Sequence, residues 1–105
     1  MNEPIVVPEG DSVGLTMRWS ELLTTALEAP TSVTYQVFDR ISGAPVSPVQ
    51  TVPEPAATMT FAVSPAHLPA GTRPHSLRTL VVQIVGHFNT NEHTEEILVA
   101  VHKRY

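Results

Sequence analysis

The chain has 105 residues, 42% of them apolar, with ten prolines, no cysteine and a net charge of −4. That length holds one hydrophobic core and not two, and the composition excludes both a disordered tail and a membrane protein. The lack of cysteine excludes a disulfide frame and a thiolate metal site, and six Lys and Arg in all leave no footprint for a phosphate backbone, so nucleic acid is not expected as a partner.

The opening Met1-Asn2-Glu3-Pro4 is acidic and lacks an apolar core, so no signal peptide is read there and synthesis in a reducing cytoplasm is expected. Ile5, Val6 and Val7 lie between Pro4 and Pro8. Prolines remove backbone donors, which confines the segment to an edge strand or an extended arm, here taken as residues 1–11. Gly10 and Asp11 then turn the chain. From Val13 to Trp19 the alternation is regular, with Val13, Leu15, Met17 and Trp19 on one face, the pattern of a half-buried strand. Between Ser20 and Pro30, Leu22, Leu23, Ala26 and Leu27 have helical spacing, and a short helical turn is expected.

Ser32 to Asp39 reads as a strand with Val33, Tyr35 and Val37 inward and Phe38 outward. Arg40 to Gly43 reads as a turn in which Gly43 supplies positive φ. Val46 to Val52 continues as an edge strand because of Pro48 and Pro53, and Glu54-Pro55 turns again. Thr58 to Val63 points Met59, Phe61 and Val63 inward, and Ser64 to Pro74 is a long connection. Ser76 to Phe88 is the expected central strand. It carries Leu80, Val82, Ile84 and Phe88 on one face and Leu77, Val81 and Val85 on the other, so both faces are expected to be largely covered. Asn89 to Glu95 is expected to be a polar loop, followed by a last strand with Ile97, Val99 and Val101 inward. The whole predicts an all-β domain over 12–105, a single immunoglobulin-like β-sandwich of six to seven antiparallel strands.

Candidate chemistry is sparse. Gly10-Asp11-Ser12-Val13-Gly14 matches the nucleophile-elbow spacing, but an alternating strand follows where that motif needs a helix. His87 and His93 flank a polar stretch with Glu92, Glu95 and Glu96, yet their spacing matches no metal-ligand signature. Trp19, Tyr35, Phe61 and Phe88 are in phase with inward faces, which makes them core and not a sugar-stacking platform. No catalytic, cofactor or metal residue is therefore assigned. The features with positive physics are edges: the arm Ile5, Val6, Val7 and the apolar Leu22, Leu23 and Leu27 are the candidate protein interface. Charge is uneven, summing to −4 over residues 1–30 and +1 over 72–105.

The run Thr31-Ser32-Val33-Thr34-Tyr35-Gln36-Val37-Phe38-Asp39, the following Ser42-Gly43-Ala44-Pro45-Val46, the segment Met59 to Ala66 and the strand Arg78 to Gly86 together resemble small structural proteins of tailed bacteriophages. The likeness spans roughly residues 12–103 as a pattern of strands and turns, and His67 stands where a polar turn residue such as Asn is expected. The resemblance implies an immunoglobulin-like sandwich without enzymatic activity, resident in the virion. Its expected partners are itself, as a homo-oligomer such as a trimer, and a larger virion protein such as the major capsid protein, with no nucleic acid and no membrane. Capsid decoration is the first function implied, a neck or tail component the second. A host-recognition or carbohydrate-binding module is the alternative from another class.

Overall fold

A computed structural model describes residues 4–19, 29–89 and 91–103. Within these residues seven strands follow in order: β1 Ile5–Pro8, β2 Val13–Arg18, β3 Ser32–Asp39, β4 Gln50–Val52, β5 Thr58–Val63, β6 Leu77–His87 and β7 Glu92–His102. A single 3₁₀ turn, Pro65–His67, lies between β5 and β6. The strands form two sheets, one of five in the order β1-β7-β6-β3-β4 and one of two, β2-β5.

Alternation in the sequence becomes alternation of burial. Along β2, Val13, Leu15 and Met17 are buried while Gly14, Thr16 and Arg18 are exposed, and β3 buries Val33, Tyr35 and Val37. These residues meet Leu80, Val82 and Ile84 of β6, Val99 and Val101 of β7, and Met59 and Val63 of β5 in one core. Burying each aliphatic side chain fully contributes about 1.5–3 kcal/mol, so the β6 triad, all at 0% exposure, is a principal source of stability. As expected, β6 is the central strand: it pairs antiparallel with β3 on one side and β7 on the other.

Four expectations need correction. The sheets are not all antiparallel, because β1 runs parallel to β7, Ile5 opposite Val99 and Val7 opposite Val101. After the turn at Gly10 (φ +86°) the chain enters the other sheet as β2. β1 and β2 thus form no hairpin, and β1 is free to run parallel to the strand it joins. The second face of β6 is only partly covered: Val81 and Val85 are half-buried and Leu77 is 58% exposed. The expected strand Val46 to Val52 shortens to β4, with an isolated bridge between Phe38 and Pro45 upstream. Finally, Glu92 to Glu95 belong to β7 and not to a loop. Their backbone is paired with Ile84 to His87, and pairing to a long neighbour holds a polar segment extended. The helical turn expected between Ser20 and Pro30 falls largely outside the described residues.

Turns obey local chemistry. Gly43 has φ +75° and its N–H donates to the Asp39 carbonyl at 2.8 Å, as its lack of Cβ allows. The 3₁₀ turn is capped by Ser64, whose Oγ accepts the Ala66 N–H, with His67 as its last residue.

Candidate functional site

The Gly10 to Gly14 stretch is a simple entry turn, as its sequence context implied. Ser12 is exposed and leads straight into β2, so no strand–turn–helix presents its hydroxyl. The aromatic residues lie where their phase put them. Trp19 is 1% exposed and Tyr35 7%, while Phe61 and Phe88 pack against the core half-buried. Tyr35 stacks on Phe61 with centroids 5.6 Å apart, and its hydroxyl lies 3.2 Å from His67 Nδ1. Burial pushes the Tyr35 phenol above its ordinary pKa, which keeps it a hydrogen-bonding group and not an anion. Trp19 and Tyr35 are too deeply buried to stack on a sugar.

The histidines of the β6–β7 hairpin separate into two pairs. His87 Nδ1 lies 3.2 Å from Glu92 Oε1, and His93 Nε2 lies 2.7 Å from Glu95 Oε1. His93 also meets the edge of Trp19 at 5.7 Å between centroids. Period-2 alternation puts His93 and Glu95 on the core-side face and His87 and Glu92, which pair across the strands, on the other. Among the described residues no three His, Asp or Glu side chains are grouped so as to hold a metal ion.

The interface residues divide differently. Ile5 and Val6 are 40% and 62% exposed, and Val7 is half-buried against the core. β1 is the outermost strand of its sheet, so among the described residues no strand pairs with the side of its backbone turned away from β7, the edge a further strand could join. Leu22, Leu23 and Leu27 lie outside the described residues. Sequence reasoning missed the outer face of the five-stranded sheet, where Phe38, Val81 and Leu98 stand in one row across β3, β6 and β7. A shallow groove of about 270 Å³ beside them is lined by Gln83, Glu96 and Arg40 as well. The signal was present in the two-sided apolar pattern of β6, but it was read as coverage of both faces.

At the other end of β6, Asp39 organises the turn. Its Oδ1 accepts the N–H groups of Ile41 (2.9 Å) and Ser42 (3.0 Å), and its Oδ2 pairs with Arg78 Nε at 2.9 Å. The Ser42 N–H, the Arg78 guanidinium and the Ile41 N–H hold this carboxyl below the usual carboxylate range. A carboxyl whose pKa is lower folded than unfolded stabilises the fold fully above the unfolded value of about 4, and that contribution fades as pH falls through the folded one. Asp39→Asn is therefore expected to be less stable than the parent at neutral pH and to converge on it under acid. Denaturation midpoints across the acid range check this, and a gap that stays constant down to the lowest pH contradicts it.

Compared with protein-family models and with curated proteins, the chain matches none.

Proposed function

We propose that this protein is a non-enzymatic structural component of a tailed-bacteriophage particle, an immunoglobulin-like sandwich that docks onto virion neighbours through its edges. Support for the immunoglobulin-like reading comes from the partition of strands. The pair β2-β5 faces a larger sheet in which β6 and β7 are flanked by β3, and the first strand is added beside the last. The observation that carries the docking role is β1, an edge strand with Ile5 and Val6 exposed. An open strand edge with apolar side chains is the surface through which a repeating neighbour completes a sheet. Partners in this reading are further copies of the chain, in a closed symmetric oligomer such as a trimer, and the major capsid protein. The strand-and-turn resemblance to phage structural proteins supports the virion setting, and capsid decoration is the preferred role.

Quantitative mass spectrometry of purified phage particles tests it. Copies comparable to the major capsid protein are expected. A few copies per particle would move the protein to the neck or tail, and absence from the particle would overturn the reading. Deleting residues 1–11 is expected to abolish incorporation. Val6→Lys, a change at an exposed position that leaves the fold in place, should lower it as well. Normal incorporation of that variant would show that β1 is not the docking edge.

A further inference from the structure

One end of the five-stranded sheet holds a groove of about 620 Å³ between the turn after β3 and the start of β6, with residues 70–73 as its far wall. Three of the chain's six Lys and Arg residues line it, Arg40, Arg73 and Arg78. Arg78 is held by Asp39; Arg40 and Arg73 have no acidic partner among the described residues. The same groove is lined by Ile41, 95% exposed, and Leu77, 58% exposed.

We infer that this groove is a docking site for an acidic segment of a partner protein that carries aliphatic side chains between its carboxylates. Charge complementarity selects the acid. In a chain of net charge −4, two guanidiniums without an acidic partner among the described residues, beside one groove, are a local excess of positive charge, and a guanidinium matches a carboxylate through paired hydrogen bonds. Ile41 and Leu77 select the aliphatic component, since arginine beside exposed apolar surface is the composition of protein interfaces. A nucleic acid is disfavoured on both counts: the whole chain repels it, and two aliphatic side chains do nothing for a phosphate backbone.

The walls are set before any partner arrives. Asp39 fixes the turn that carries Arg40 and Ile41 through its bonds to Ile41 and Ser42. Ser76 Oγ donates to the Arg73 carbonyl at 2.7 Å. Gly71 lets the far wall close in, because a Cβ there would lie 3.2 Å from that same Oγ. Backbone already held in place loses less freedom on binding. The inference concerns recognition by the isolated protein and stands whether or not the protein resides in a virion.

The test titrates the full chain with a short fluorescent peptide alternating glutamate and leucine. Controls are the glutamine analogue, the glutamate–serine analogue and inorganic phosphate. Amide shift mapping is expected to place the glutamate–leucine peptide between Arg40 and Leu77, with binding weakened by salt. Arg40→Glu with Arg73→Glu should weaken it roughly tenfold or more, and Ile41→Ser with Leu77→Ser should weaken it as well. Both double variants should melt with the parent. The inference is overturned if the glutamine analogue binds equally, if neither double variant matters, or if no peptide binds. Phosphate competing as well as the peptide would instead define a small-anion site. Self-association of the chain that disappears in Arg40→Glu/Arg73→Glu would make a second copy the occupant; either result also overturns it.

Discussion

Gly86→Val is expected to remove about 3 kcal/mol of stability, at the upper end of the usual cost of overpacking. For a domain of this size, held together by roughly 5–15 kcal/mol in total, that is a large share. The reason is one contact. A Cβ built on Gly86 falls 3.0 Å from Trp19 Cη2 and 3.1 Å from Cζ3, closer than carbon atoms pack comfortably. The indole has little room to retreat: its Nε1 donates to Met59 Sδ at 3.4 Å, and the rings of Phe88 and His93 meet it edge-on at 5.8 and 5.7 Å. Gly86→Ala offsets part of the clash through the lower flexibility of alanine in the unfolded chain, worth about 0.5–1 kcal/mol, so it should cost clearly less than valine. Urea denaturation of both variants checks the order. A double-mutant cycle isolates the cause: in a Trp19→Leu background, itself destabilised, valine at position 86 should cost much less than in the parent. An unchanged cost would mean that strand pairing with Val33 and His93, and not the indole, requires glycine.

The contact also shows what the sequence made visible. Trp19 was read as inward because it continues the phase of Val13, Leu15 and Met17, and it is buried. That Gly86 lies beneath it depends on two chain segments far apart meeting in the shared core, which no local pattern encodes. The same division recurs elsewhere. Inward faces of β2, β3 and β5 followed from period-2 alternation, because a strand with one wet face must alternate. The parallel pairing of β1 did not, since Pro4 and Pro8 restrict the segment to an edge without saying which edge. Glu92 to Glu95 looked like loop because polar residues are ordinarily solvated; the β6 strand opposite them decided otherwise.

The candidate surfaces divide in the same way. Ile5 to Val7 was legible as an edge because proline chemistry is local. The groove with Arg40, Arg73 and Arg78 was not, because the register that sets Asp39 opposite Leu80 brings those residues together. A local hint existed: Asp39 precedes a Ser-Gly turn, the arrangement in which a carboxylate accepts backbone N–H groups. It marks the turn but not the arginine that completes the site.

Ser47→Ala is expected to cost about 1–3 kcal/mol, the penalty for leaving a buried donor unsatisfied, although it deletes only a hydroxyl. Between the pairs Phe38–Pro45 and Tyr35–Gln50, β3 has only Gln36 and Val37, whereas the opposite chain has Val46, Ser47, Pro48 and Val49. The surplus residues break the ladder as a bulge does. In the β4 register Pro48 would face Val37. The Ser47 side chain repairs the break: its Oγ accepts the Val37 N–H at 3.0 Å and donates to the Pro48 carbonyl at 3.1 Å. Its carbonyl accepts from Gln36 Nε2 at 3.1 Å. Ser47 is 7% exposed and Val37 fully buried, so water is a poor substitute for the lost hydroxyl. Ser47→Thr keeps the hydroxyl and should retain more stability than alanine. Hydrogen exchange provides the direct readout: in Ser47→Ala the Val37 amide should exchange faster while the amides of Val82 and Val99, in the interior strands, keep their relative protection. A loss below about 0.5 kcal/mol, half the low end of the unsatisfied-donor penalty, together with an unchanged Val37 amide would show that the bulge rearranges to pair this donor by itself.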